Sequence, residues 1–133
     1  MDKTLVDTSA WIEFFRKKAP YYHVISDLID NESIVCTGII FAELLQGAKS
    51  EKELSTIKEF LFVFDFLPES EKIWEAAGEL SFSLRKKGKS VGLSDCYIAS
   101  AVKINNLALL TRDKHFDLLK KETGLRLIEA GNT

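Results

Sequence analysis

The sequence predicts an α/β fold in which helices connect the strands of a short parallel sheet. Two patterns favour this fold class. Short, mostly apolar runs recur along the chain, and longer stretches with helical spacing of apolar residues separate them. The length of 133 residues and the apolar content of 46% suit one domain, residues 1–133, with a continuous core.

Five short apolar runs are the strand candidates, and most of them end at a polar residue or a glycine. They are Thr4–Val6, Ile34–Cys36, Val63–Phe66, Ala108–Leu110 and Arg126–Ile128. Because these runs are so brief, we expect a small sheet that is buried on both faces.

Seven stretches between the strand candidates have helical periodicity: Ser9–Lys17, Tyr21–Asp30, Ile39–Ala48, Glu51–Phe62, Ser70–Lys87, Asp95–Asn105 and Lys114–Glu122. Ser50 and Glu53 form a capping box ahead of the fourth helix, and Pro20 suits the start of the second. The fifth helix has the clearest apolar stripe, and Gly88 can form the left-handed cap that ends it.

Composition excludes several classes of protein. The longest uncharged stretch, residues 33–42, is about half of what a membrane-spanning helix needs. The N-terminus lacks the pattern of a signal peptide, so we expect a cytoplasmic protein without a membrane segment, in which Cys36 and Cys96 are reduced, buried and inert. The formal charge of -2 gives no overall electrostatic indication of a nucleic-acid substrate.

Two acids stand at the ends of predicted strands. Asp7 follows the first strand, and Asp113 comes shortly after the strand Ala108–Leu110. Open α/β sheets place their ligands at the carboxyl ends of the strands, so both positions suit a functional site. Asp is also a good helix cap, and capping is the structural alternative at both positions.

Two further acids lie on apolar helix faces. Glu43 shares a face with Ile40 and Leu44, and Asp95 shares one with apolar residues of the sixth predicted helix. A buried carboxylate needs a cation, a metal or a proton. A structural ion pair is the alternative at Glu43, and Asp95 in the first turn could simply cap its helix.

Convergence of Asp7, Glu43, Asp95 and Asp113 on one cavity explains all four positions together. Clustered carboxylates cannot all stay ionised without cations, and oxygen ligands favour Mg²⁺ or Mn²⁺ over zinc. The chain has no CxxC or HxxxH zinc motif, no phosphate-binding glycine loop and no nucleophile elbow.

Four short motifs, in order and with matching spacing, resemble the signature of the PIN-domain family, and within it the VapC-type toxin ribonucleases. The motifs are Asp7-Thr8-Ser9-Ala10-Trp11-Ile12, Ile40-Phe41-Ala42-Glu43-Leu44 with Gly47, Ser94-Asp95-Cys96-Tyr97-Ile98-Ala99, and Leu110-Thr111-Arg112-Asp113. The resemblance implies an α/β/α sandwich, a Mg²⁺ or Mn²⁺ site, hydrolysis of RNA by metal-activated water, a cognate antitoxin and a homodimer.

The same resemblance assigns the site residues. Asp7, Glu43 and Asp95 match the near-invariant acids of the family, and Asp113 matches the more variable fourth acid. Many relatives carry a different run after the fourth position, which leaves Asp117 as the alternative to Asp113. Polar residues at three further positions match groups that support the site in the family: Thr8, Ser9 and Thr111.

RNA binding needs a positive surface, and two basic runs are candidates: Arg16, Lys17 and Lys18, and then Arg85, Lys86, Lys87 and Lys89. Solvated helix ends are the alternative for each run. If a metal neutralises the four clustered acids, sixteen of the twenty acids remain against eighteen cations, and the balance turns positive.

The competing function is that of a non-catalytic or degenerate PIN-like domain that binds metal or RNA for regulation. A degenerate domain would normally have lost an acid, whereas this chain retains four. The chain also carries more phenylalanine than a small core obviously needs, so we expect part of it to lie in an exposed apolar interface.

Overall fold

The structure is a computed structural model and describes residues 2–131. Its strands are β1 (Thr4–Val6), β2 (Ile34–Cys36), β3 (Asp65–Phe66), β4 (Ala108–Leu110) and β5 (Arg126–Leu127). Its helices are α1 (Thr8–Phe15), α2 (Tyr21–Asp30), α3 (Gly38–Gln46), α4 (Glu51–Leu61), α5 (Glu71–Lys86), α6 (Leu93–Ile104) and α7 (His115–Thr123). The predicted α/β fold class is confirmed.

The five strands form one parallel sheet in the order β3-β2-β1-β4-β5. β1 lies at the centre, with Leu5 beside Val35 of β2 and Leu109 of β4. The three central strands are buried along their whole length, which is why they read as continuous apolar runs in the sequence.

The strand order reverses at β1. From β1 the chain moves outward through β2 to β3, then crosses back to β4 on the other side. Right-handed crossovers therefore place α1 to α4 on one face of the sheet and α5 to α7 on the other, and the helices contact each other in these two groups. The carboxyl ends of β1 and β4 meet at this switch point, where open α/β sheets bind ligands.

Element boundaries differ from prediction by a few residues, and each difference has a local cause. β3 is shorter than Val63–Phe66 because Val63 is exposed at the end of the α4 connection and Phe64 donates its amide to Leu61. α1 ends at Phe15 because Lys17 takes a left-handed conformation with φ of 56°. α6 begins at Leu93, after Gly92, so Asp95 lies within its first turn.

Two predicted caps behave as the sequence indicates. Ser50 Oγ accepts the Glu53 amide at 3.0 Å at the start of α4. Gly88 has φ of 75° just beyond α5, the left-handed conformation that favours glycine.

The core occupies both faces of the sheet and includes Trp11 of α1 and most of α6. Cys36 and Cys96 are buried free thiols, and burial raises the pKa of Cys36 to about 12, which keeps it protonated and unreactive. Within residues 2–131, no helix is both long and apolar enough to cross a bilayer.

Candidate functional site

Asp7 follows β1 and stands at the N-cap position of α1, but its side chain does not cap that helix. Asp7 as a whole is 5% exposed. Its Oδ2 accepts hydrogen bonds from Thr111 Oγ1 at 2.8 Å and from Ser9 Oγ at 3.2 Å. The side chain of Asp7 therefore does not act as a helix cap, which was the structural alternative at this position.

Opposing effects act on the pKa of Asp7. Burial raises the pKa above its ordinary value, and the charge of Glu43 raises it further. Hydrogen bonds from Thr111, the Thr8 backbone and Ser9 lower it but do not fully compensate. A bound cation would favour the ionised carboxylate at this position.

Glu43 lies on α3, half-buried beside Ile40 and Leu44. Thr8 Oγ1 donates to its Oε1 at 2.8 Å. Among residues 2–131, no Lys or Arg forms an ion pair with this carboxylate, so the structural ion pair considered as an alternative is not found.

Asp95 lies in the first turn of α6, half-buried. Desolvation raises its pKa to about 6, and the negative charges of Asp7, Asp113 and Glu43 add to the shift. Since the charges of all three other acids act on Asp95, the four predicted carboxylates lie in one neighbourhood.

Asp113 follows β4, and its amide donates to Thr111 Oγ1 at 3.0 Å. Its Oδ1 accepts the His115 amide at 2.9 Å, so this side chain also caps the start of α7. Asp117 lies one turn further along α7 and is exposed. Asp113 is the one of these two acids that contributes to the pKa of Asp95.

His115 is a neighbour of the site that sequence reasoning did not include. Its Nδ1 lies 3.2 Å from Asp113 Oδ1. One ligand atom from each of Asp95, Asp113 and His115 can be chosen so that all three lie within 4.8 Å of one another. His23 and His115 are far apart in the sequence, and His115 is not part of a metal-binding motif. Its position beside Asp95 and Asp113 is therefore visible only in the fold.

The donor set fits a divalent cation. Four carboxylates lie in one neighbourhood, two of them have raised pKa values, and hydroxyl groups of Thr8, Ser9 and Thr111 orient two of the acids. Oxygen-rich sites of this kind suit Mg²⁺ or Mn²⁺.

The basic runs differ in their surroundings. Lys87 and Lys89 form ion pairs with Glu122 at 2.8 and 3.1 Å. Arg85 and Lys86 lie over the ring of Phe82. Arg16, Lys17 and Lys18 are all exposed, but of the three only Arg16 borders a groove of about 510 Å³ that also contains Glu43. Arg16 is thus the candidate cation that shares a groove with a site acid.

A second residue missed in the sequence is Glu13, an acid in the middle of α1 that is 7% exposed. It pairs with Arg112, between Thr111 and Asp113. Glu13 falls on the buried face of α1 one turn past Ser9, a position that resembles those of Glu43 and Asp95, so the same search for acids on apolar faces would have found it.

The parallel sheet has the strand order 3-2-1-4-5, and the acids lie near its switch point. A protein of this class is a PIN domain, and the chain belongs to the PIN domain family, which it matches over residues 4–122. Its relatives include Ribonuclease VapC1 of Methanocaldococcus jannaschii, which is 30% identical over 96% of this chain and 88% of the relative. Ribonuclease VapC11 of Mycobacterium tuberculosis is 28% identical over 92% of this chain and 95% of its own length.

Solved structures have the same fold. VapBC2 from Rickettsia felis, bound to a promoter DNA fragment, matches with a TM-score of 0.78 and 27% identity, over 94% of this chain and 96% of the other. DNA-bound VapBC from Salmonella typhimurium matches with a TM-score of 0.81 at 24% identity, over 98% of this chain and 100% of the other.

Proposed function

We propose that this protein is a Mg²⁺- or Mn²⁺-dependent endoribonuclease, the toxin of a toxin–antitoxin pair, acting on RNA in the cytoplasm. The observation that carries the proposal is the convergence of Asp7, Glu43, Asp95 and Asp113 at the switch point of the sheet. The ribonuclease names of the relatives support the choice of RNA as substrate.

Each acid has its own task. Asp7 and Asp95, the two acids with raised pKa values, are the primary ligands for the cation, and Asp113 completes the set. A divalent ion bound there would activate water for attack on phosphorus and neutralise charge on the phosphate. Glu43, held by Thr8 at 2.8 Å, is placed to orient the attacking water or to serve as a further ligand.

Three hydroxyl groups act through the acids. Thr111 and Ser9 fix the orientation of the Asp7 carboxylate, and Thr8 fixes that of Glu43. Hydrogen bonds from neighbouring residues commonly set the rotamer and basicity of carboxylate ligands. These residues are positioning groups that need not touch RNA.

The alternative, a degenerate domain that binds without cleaving, is less favoured. All four acids are present, and none of them forms an ion pair with Lys or Arg within residues 2–131. A domain that only bound RNA would have no need to maintain several unneutralised carboxylates at such electrostatic cost.

The test is cleavage of a long synthetic RNA by the purified chain, with Mg²⁺ and with excess EDTA. We expect cleavage only with the metal, and none from Asp7→Asn, which keeps the volume of the side chain and can still accept from Thr111. Circular dichroism must show that this variant is folded. Equal cleavage by the variant would reject the proposed site.

The antitoxin has a suitable docking place in the groove between α1, α3 and α4. Exposed apolar side chains of Ile12 and Phe15 line it together with Leu44, and Glu43 lies in the same groove. An apolar antitoxin segment seated there would reach the edge of the carboxylate site and block it. Phe15→Ser should weaken inhibition by an antitoxin encoded beside this chain, whereas Phe82→Ser, at an exposed phenylalanine of α5 on the opposite face of the sheet, should not.

A second copy of the chain is the other expected partner. Phe62 is 63% exposed and Val63 75% exposed at the end of α4, an apolar pair that a homodimer would cover. Most of the other phenylalanines are partly buried against the core, namely Phe14, Phe41, Phe60, Phe64 and Phe66, whereas Phe15 is exposed. Sedimentation velocity measures the mass of each protein in solution. We expect a dimer for the wild type and a monomer for Phe62→Ser, and equal masses for the two proteins would contradict this contact.

A further inference from the structure

Arg112 occupies a fixed place beside the carboxylate site. It lies between Thr111 and Asp113, and its backbone amide donates to Ser9 Oγ at 3.0 Å. Ser9 in turn donates to Asp7. The start of the Arg112 side chain is therefore held by the same hydrogen bonds that orient the acids.

The side chain of Arg112 is held by a buried acid. Its Nε lies 3.1 Å from Glu13 Oε1, and the Glu13 side chain is 9% exposed. Glu13 Oε2 has no hydrogen-bond partner within residues 2–131. A buried carboxylate requires a cation, and Arg112 is the one that the described part of the chain supplies.

The contact leaves most of the guanidinium available. The contact with Glu13 is at Nε, and the Arg112 side chain is 63% exposed. Arginine carries five N–H donors in a planar fork that matches the oxygens of phosphate. Within residues 2–131 Arg112 has no ion-pair partner besides Glu13, so its exposed guanidinium can also bind an anion from solution.

A cleft of about 390 Å³ adjoins this guanidinium. Thr111 and Asp113 of the site form part of its wall, and Tyr21 and Lys114 form another part. The cleft therefore borders the carboxylate cluster at Asp113. A strand of RNA whose cleaved bond lies at the acids could place its neighbouring nucleotide here.

We propose that Arg112 binds a backbone phosphate of the RNA strand next to the bond that is cleaved, and that Glu13 is the positioning residue that holds its guanidinium for this purpose. The inference rests on the proposed function, since it assumes an RNA strand at the carboxylates. It adds a phosphate-binding residue outside the acids and outside both basic runs.

Acids in the cleft set the balance of charge around this contact. Glu129 and Asp117 line the same cleft. Burial raises the pKa of Tyr21, the charge of Arg112 lowers it, and the charge of Glu129 raises it, so Glu129 lies close enough to oppose Arg112. Arg112 must therefore bind phosphate against a nearby negative charge. Removal of that charge by Glu129→Gln should strengthen RNA binding.

The first experiment measures the affinity of a fluorescent single-stranded RNA by anisotropy, over a range of salt concentrations, in an Asp95→Asn background that prevents cleavage. Arg112→Ala should weaken binding roughly tenfold and reduce the slope of log affinity against log salt by about 0.7. Arg112→Lys should recover part of the affinity but not all of it, because lysine lacks the planar fork.

Arg126→Ala is the matched control. Arg126 is also a half-exposed arginine in an ion pair, with Asp2 at 3.0 Å, but it lies at the amino end of β5, away from the carboxyl ends of the strands. Its removal deletes the same charge without touching the cleft. We expect no more than a small loss of RNA affinity from it.

Glu13→Gln separates positioning from simple charge. On charge alone, removal of an acid near RNA strengthens binding, so a decrease shows that Glu13 acts by holding Arg112. In the Arg112→Ala background the same change should have no further effect. A purely structural role would lower the melting temperature of both variants without this dependence on Arg112.

Cleavage by the chain with native acids makes the two failures distinguishable. If Arg112→Ala binds and cleaves RNA like Arg126→Ala while Asp7→Asn is inactive, the proposed function stands and this inference is overturned. If Arg112→Ala raises KM far more than it lowers kcat, and Glu13→Gln does so through Arg112, the inference is supported.

Discussion

Thr111 Oγ1 donates a hydrogen bond of 2.8 Å to Asp7 Oδ2, joining the ends of β1 and β4 across 104 positions of sequence. The same oxygen accepts the amide of Asp113 at 3.0 Å. One threonine thus links two of the four acids, and it can do so because β1 and β4 are neighbours at the switch point of the sheet.

Loss of this hydroxyl should disturb the acids without unfolding the chain. We expect Thr111→Val, which keeps the shape of the side chain, to reduce metal affinity and cleavage by roughly 10- to 100-fold, the usual effect of removing such a supporting group. Calorimetric titration with Mn²⁺ and initial cleavage rates measure the two effects. Thr111→Ser retains the donor and is the control; equal losses in both variants would show that the methyl group, not the hydroxyl, matters.

Asp113 and Asp117 can be separated by paired substitutions. Asp113→Asn keeps the oxygen that accepts the His115 amide, so α7 remains capped, but it removes a charge next to Asp95. We expect cleavage to fall at least tenfold, whereas Asp117→Asn should stay within about twofold of wild type. The reverse order of these rates would assign the fourth acid to Asp117.

The metal-free protein should lose stability as pH rises. The pKa of Asp95 is raised from 3.8 to about 6, so between these values the folded chain keeps a proton that the unfolded chain releases. This contribution is fully present below the unfolded value and is lost as pH rises through the folded one. Thermal unfolding in EDTA should therefore show a lower melting temperature at neutral pH than at pH near 4.5, as far as Asp95 contributes.

The control for that prediction is Asp95→Asn, which cannot titrate. Its melting temperature in EDTA should fall less over the same pH range and should exceed that of the wild type by a few degrees at neutral pH. Added Mg²⁺ should remove most of the decrease in the wild type alone. Identical pH profiles for the two proteins would show that the acids do not repel one another.

The two basic runs should contribute unequally to RNA binding. Lys87 already pairs with Glu122 at 2.8 Å, whereas Arg16 borders the groove that contains Glu43. We expect Arg16→Ala to weaken RNA affinity several-fold and to reduce its salt dependence, and Lys87→Ala to have little effect. Filter binding at several salt concentrations measures the RNA affinity of both variants. A larger loss of affinity in Lys87→Ala than in Arg16→Ala would place the RNA contact at the end of α5.

Much of the fold followed from the sequence because local signals agreed with the packing. β1, β2 and β4 are fully buried, so their apolar runs marked them without ambiguity. β3 and β5 are short edge strands with little apolar pattern of their own, and their lengths depend on pairing with β2 and β4. Sequence alone could not fix those ends.

The site was predictable to the extent that it consists of acids in unusual places. Asp7 and Asp113 follow strands, and Glu43 and Asp95 lie on apolar faces, which is why the sequence indicated their convergence. His115 and Arg112 gave no such signal, because an exposed histidine or arginine is ordinary on a protein surface. Their importance depends on neighbours that only the fold brings together.

Incubation of total RNA with the purified chain and Mg²⁺, followed by sequencing of the product ends, tests the central claim most directly, with Asp95→Asn treated in parallel. The account predicts discrete internal cuts with 5′-phosphate and 3′-hydroxyl ends from the wild type, none in EDTA and none from the variant. Intact RNA in every sample, or equal cutting by a folded Asp95→Asn, would contradict it.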